Sequence, residues 1–138
     1  MCRLTICSLV ILWTCSAFAQ SPVIVANVSL LNQISTIFPT TLVTPSSDAL
    51  YRITAYMEMT KTNTSNWSWC ANFFFNDGLR KRGVGVEVET NSDNDVSSGV
   101  FVAADKAGVP LTYSVTDCSG TKRGKEPFNL FFTIEQLQ

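Results

Sequence analysis

Apolar and polar residues alternate along most of this chain, the period-2 signature of strands that bury one face. The clearest run is Val84-Gly85-Val86-Glu87-Val88-Glu89, with valines on one side and Gly85, Glu87 and Glu89 on the other. Ala49 to Met59 sets Tyr51, Ile53, Ala55, Met57 and Met59 opposite Arg52, Thr54, Tyr56 and Glu58. Trp67 to Phe75 gathers Trp67, Trp69, Ala71, Phe73 and Phe75 on one face, and Leu111 to Thr116 gathers Leu111, Tyr113 and Val115. Phe128, Leu130, Phe132 and Ile134 line a C-terminal strand, and weaker alternation marks Val23 to Leu31, Thr36 to Thr44 and Gly99 to Ala104. The pattern predicts about eight strands and no helix. Alternation of this one-sided kind belongs to antiparallel sheets with one solvated face.

Turn chemistry falls between these runs. Asn76-Asp77-Gly78 predicts a hairpin, because Asn and Gly tolerate positive φ there. Asn91 to Ser98 reads as a polar loop, Ala107-Gly108-Val109-Pro110 as a tight turn, and Lys122 to Pro127 as a basic loop. Neither a repeat nor an interior linker divides the chain. Short strands with frequent turns predict a single all-β domain, an antiparallel β-sandwich or barrel.

The N-terminus adds an expectation of export. Arg3, the apolar stretch Leu4 to Trp13 and the small-x-small triplet Ala17-Phe18-Ala19 read as a signal peptide over residues 1–19. Residues 20–138 then form the mature domain, with no second apolar run long enough to span a bilayer. The implied location is secreted or extracellular, periplasmic or cell-surface in a bacterium. Cleavage would remove Cys2, Cys7 and Cys15 and leave Cys70 and Cys118, which an exported chain is expected to join as a disulfide. The loop so closed, about 49 residues, corresponds to roughly 4 kcal/mol of loop-closure entropy. Both cysteines continue the polar faces of their strands, so the bridge should tie a sheet surface and not cross the core.

Charge is nearly balanced, with net −1 over the whole chain, and histidine is absent. Nucleic-acid binding, which calls for a basic excess, is not expected. Without an imidazole base or a free exposed thiol, nucleophilic catalysis has no visible machinery. Two thiols alone do not make a zinc site, so no metal or other cofactor is expected.

The run Pro45-Ser46-Ser47-Asp48-Ala49-Leu50-Tyr51-Arg52-Ile53, followed by Ala107-Gly108-Val109-Pro110-Leu111-Thr112-Tyr113, resembles jelly-roll domains of the complement C1q and tumour-necrosis-factor type. It is also similar to small secreted bacterial proteins with the same strand rhythm. Ala49 stands where the early motif usually has Gly. The resemblance spans roughly residues 36–137; it implies a jelly-roll sandwich that often trimerises, and it carries over no functional residue.

Several residues invite a functional reading beside a plainer one. Trp67 and Trp69 point the same way and would make a sugar-stacking platform if exposed, yet Phe73 and Phe75 continue their stripe, which suits a core. Tyr56 and Phe131 fall on nominally polar faces and are alternative surface aromatics for a glycan or a subunit interface. Arg80, Lys81 and Arg82, with Lys122, Arg123 and Lys125, form basic knots beside turns, suited to an anionic partner or simply to guarding a strand edge. Glu87 and Glu89 sit at a spacing usable for glycoside hydrolysis, but that chemistry needs a walled cleft for which few residues are left, and a solvated strand face explains them by alternation alone. Asp93-Asn94-Asp95 offers oxygen ligands for calcium without the rest of a loop site. Asn27-Val28-Ser29, Asn63-Thr64-Ser65 and Asn66-Trp67-Ser68 match the N-glycosylation sequon.

Residues 20–44 carry no charge at all. They either supply the first strands of their own sandwich or are exchanged between subunits, where head-to-tail donation builds filaments. The leading expectation is a secreted, non-enzymatic structural or interaction module that self-associates as a trimer or filament. A carbohydrate-binding module comes second and a small hydrolase third.

Overall fold

A computed structural model describes residues 21–60, 67–89, 96–119 and 126–138. The predicted signal peptide, the calcium-like triplet 93–95, the second basic knot 122–125 and the sequons' Asn63 and Asn66 lie outside these residues. Eight strands are present: β1 (Val23–Gln33), β2 (Ile37–Val43), β3 (Ala49–Met59), β4 (Ser68–Asn76), β5 (Lys81–Glu89), β6 (Val96–Asp105), β7 (Leu111–Asp117) and β8 (Phe128–Gln136). They form two four-stranded antiparallel sheets, β1-β8-β3-β6 and β2-β7-β4-β5.

The pairing has a simple logic. The hairpin β4–β5 closes the middle of the chain, and β3 then pairs with β6, β2 with β7 and β1 with β8. The chain is thus a long two-stranded ribbon wound over itself, which is the jelly roll. Within the single chain, residues 23–43 supply β1 and β2, which pair with β8 and β7.

The turn at the ribbon's tip is built from its own side chains. Gly78 has φ +87°, and its N–H donates to Asn76 Oδ1 at 2.9 Å. Asp77 Oδ1 accepts the N–H groups of Leu79 and Arg80, both at 2.9 Å. Short polar side chains that bond backbone two or three residues on hold such a turn without help from the core.

Between the sheets lies the predicted core. Tyr51, Ile53 and Met57 of β3 and Leu130 and Ile134 of β8 face Trp69, Phe73, Val88, Leu111 and Val115 of the other sheet, and all are buried. Trp69 packs on Phe128 at 4.8 Å between ring centroids, and Phe132 inserts against Phe73 at 5.0 Å and Tyr113 at 4.9 Å. Several strands run longer than expected, β5 starting at Lys81 and β6 most clearly. β6 starts at Val96, inside the stretch read as loop, because Glu58 and Met57 of the long β3 offer partners to Val96 and Ser97.

Two positions make the fold sensitive. A Cβ on Gly85 would collide with the Ala71 carbonyl oxygen on the neighbouring strand and crowd the Asn72 side chain. Gly85→Ala should therefore lower stability by about 1–3 kcal/mol, read as a lower urea midpoint at unchanged m-value.

The second is a buried polar pair. Asp105 Oδ1 accepts the Asn76 N–H at 3.0 Å, but Asp105 Oδ2 and the Tyr51 hydroxyl are buried without a hydrogen-bond partner among the described residues. Desolvation pushes the Asp105 carboxyl above its ordinary range, against the opposing pull of backbone N–H donors. A raised carboxyl favours the folded state only when protonated. That contribution is full below the ordinary value near 3.9 and is lost as pH rises through the folded-state value. Asp105→Asn, which keeps an acceptor and adds a donor, should melt above the wild type at neutral pH. The gap should narrow as pH is lowered toward 4, as thermal unfolding across that range will show.

Candidate interaction surfaces

The outer face of the β1-β8-β3-β6 sheet is nearly neutral. Register places Ser29, Phe131, Tyr56 and Ser98 in one row across it, and Asn27, Thr133, Thr54 and Val100 in the next. The Tyr56 and Phe131 rings lie 5.9 Å apart and tilted, so the structure brings together the two surface aromatics that sequence suggested. The Tyr56 hydroxyl donates to Glu58 Oε2 at 2.7 Å, and Asn129 Nδ2 donates to Glu58 Oε1 at 2.7 Å. These bonds hold the Glu58 carboxyl below its usual range, the Tyr56 bond first, and that same bond raises the Tyr56 phenol. Arg52 and Glu135 pair at 2.5 Å one row further on, which lowers Glu135 and raises Arg52.

Trp67 and Trp69 belong elsewhere. Both are buried in the core, Trp69 with its indole N–H donating to the Glu126 carbonyl at 2.9 Å, so neither provides a surface platform. Their stripe with Phe73 and Phe75 faces inward because β4 is a central strand covered by the opposite sheet.

The first basic knot is largely engaged. Arg82 Nε pairs with Asp77 Oδ2 at 2.6 Å, stapling the central turn, and Lys81 Nζ stands 4.9 Å from the centre of the Phe74 ring. Arg80 projects into solvent. Lys81, Phe74 and Pro110 border a shallow open groove. Glu87 and Glu89 lie exposed on β5, at the edge of the second sheet. Cys70 and Cys118 are joined on that sheet's outer face, with Cα atoms 6.0 Å apart.

The two lateral edges of the sandwich are chemically unlike. On one side β6, which exposes Val100 and Val102, lies against β5, whose flank carries Lys81, Arg82, Glu87 and Glu89. On the other side β1 lies against β2, and no charged residue occurs from Ser21 to Ser47. That edge is apolar and exposed: Ile24 60%, Leu31 56%, Ile34 55% and Phe38 82%. The missing charge was legible in the sequence. The outward aim of Leu31 and Ile34 was not, because a register shift between Leu30 and Gln33 breaks the alternation at Leu31 and Ile34 falls in the connection between β1 and β2.

No protein-family model matches this chain, and no curated protein matches it in sequence. Among the described residues, no helix is long and apolar enough to cross a membrane.

Asp77 offers a direct check on the turn. Backbone donation from Arg80, then Arg82 and the Leu79 N–H, lowers its carboxyl from the ordinary 3.8 to about 2. A lowered carboxyl contributes stability above its unfolded value, and that contribution is lost as pH falls through the folded one. Asp77→Asn should melt below the wild type at neutral pH, and the difference should close between about pH 4 and 2.

Proposed function

We propose that the protein is an exported, non-enzymatic structural module that self-associates through the edge formed by β1 and β2. One observation carries this reading: the whole edge is free of charge and exposes Ile24, Leu31, Ile34 and Phe38. Exposed strand edges invite pairing, and folded proteins guard them with charged residues of the kind found on the β5 flank. The occupant that fits is a second copy of the same edge. Neutral apolar strands meeting each other strip no charge of its water, whereas a charged partner would lose hydration with nothing here to replace it. Edge-to-edge contact and strand exchange both use this segment; a two-fold contact closes and a head-to-tail one grows. Export is in keeping with the signal-like N-terminus and with the disulfide. The jelly-roll topology is in keeping with the resemblance to C1q- and tumour-necrosis-factor-type domains, from which a trimer would be expected.

Light scattering of the mature chain at micromolar concentration tests the reading. A particle mass above the monomer is expected, and Leu31→Lys with Phe38→Glu should reduce it to one chain with the strand circular dichroism intact. A monomeric wild type, or a variant of unchanged mass, removes the reading.

A second reading, carbohydrate binding, is favoured by the Tyr56–Phe131 pair with the Glu58 and Asn129 polar groups beside it. Exposed rings stack on sugar faces while neighbouring amides and carboxylates fix hydroxyls. Glycan-array binding lost in Tyr56→Ala but kept in the edge variant would place this reading first.

A further inference from the structure

We propose that reduction of the Cys70–Cys118 disulfide turns its surroundings into a zinc site, with Cys70, Cys118 and Glu87 as ligands. Sequence discounted zinc because it shows only two thiols and no histidine. The fold supplies the third ligand. Cys70 of β4 is directly opposite Glu87 of β5 on the outer face of their sheet. On the other flank Cys70 is opposite Thr116 of β7, and Cys118 follows two residues later, its N–H donating to the Ser68 carbonyl at 3.1 Å. Three strands thus deliver one donor atom each or nearly so, and the three donor atoms lie within 4.8 Å of one another.

The geometry is close to what the metal requires. Tetrahedral zinc with ordinary Zn–S and Zn–O bonds has S···O edges of ~3.6 Å and an S···S edge of ~3.8 Å. Cys118 Sγ already lies 3.5 Å from Glu87 Oε1. Once the bond between them is broken, the sulfurs must separate to that edge length. Their Cα atoms, 6.0 Å apart, leave room for this by side-chain rotation. The Ser68 hydroxyl donates to Cys118 Sγ at 3.3 Å, the kind of outer hydrogen bond that orients a thiolate ligand. Thiolate donors select zinc over calcium or magnesium, and the fourth position is left to water.

Reduction does not dismantle the frame. The bridge links strands that are neighbours in one sheet, and the β4–β7 and β4–β5 ladders hold Cys70, Cys118 and Glu87 in place without it. A thiol reductant supplies two electrons and two protons, becoming a disulfide itself while Cys70 and Cys118 become thiols. Zinc then displaces both thiol protons. Two thiolates and a carboxylate at this range repel one another, and the dication offsets that repulsion, leaving the site with one negative charge.

The test uses the full mature chain reduced with a phosphine, with Co²⁺ as the spectroscopic probe and Zn²⁺ as competitor. Expected are one Co²⁺ per chain, a thiolate-to-cobalt charge-transfer band that Zn²⁺ bleaches, and a higher melting temperature of the reduced protein with zinc. The oxidised chain should show none of these. Glu87→Gln, an exposed and nearly isosteric change, should weaken binding at least about tenfold while keeping the band, and Cys118→Ser should abolish it. The absence of a band, one metal per two chains, equal affinity in Glu87→Gln, or loss of strand circular dichroism on reduction alone would each overturn the proposal.

Discussion

Two sheets can stack only if side chains from both fill the roughly 10 Å between them. In this protein aromatic rings from both sheets interlock there. Trp69 against Phe128, and Phe132 against Phe73 and Tyr113, join the sheets along much of their length. Each partner comes from a different sheet, so neither sheet has a buried face until the other is present. The strand pairs are as distant in sequence as β1 and β8, and only this shared core rewards closing such long loops. The self-sufficient turn at Asp77 and Gly78 brings β4 and β5 together locally, which gives the winding of the ribbon a place to begin.

With the core so placed, chemistry at the surface follows from which strands end up at the edges. β5 carries charge along its flank, and those groups also serve locally, Arg82 on Asp77 and Lys81 on Phe74. β1 and β2 carry none, and present apolar side chains beside unpaired backbone. The two flanks thus differ in charge, since Lys81, Arg82, Glu87 and Glu89 have no counterpart on β1 and β2. The outer face of the first sheet, where Arg52 pairs with Glu135 and Glu58 accepts two hydrogen bonds, adds little long-range field.

The disulfide plays a part separate from the core. It lies outside the sandwich, across strands already joined by hydrogen bonds, so it constrains the unfolded chain more than it shapes the folded one. A bridge in that position is accessible to reductants, and its neighbours are those of the outer face: Ser68 and Glu87.

Sequence by itself determined the strands, since alternation is local and the bounds of β3, Ala49 to Met59, follow from its pattern alone. It also determined the central turn and the Cys70–Cys118 pairing, the first because Asn-Asp-Gly bonds its own backbone, the second because only two cysteines follow residue 19. Tertiary structure decided what each face meets. The Trp67 stripe could have been a core or an exposed platform, and only the cover of the opposite sheet buries it. The aim of Leu31, the meeting of β1 and β2 at one edge, and the approach of Glu87 to two sulfurs depend on a bulge, strand order and register. These arise between strands far apart in the chain, so no local pattern encodes them.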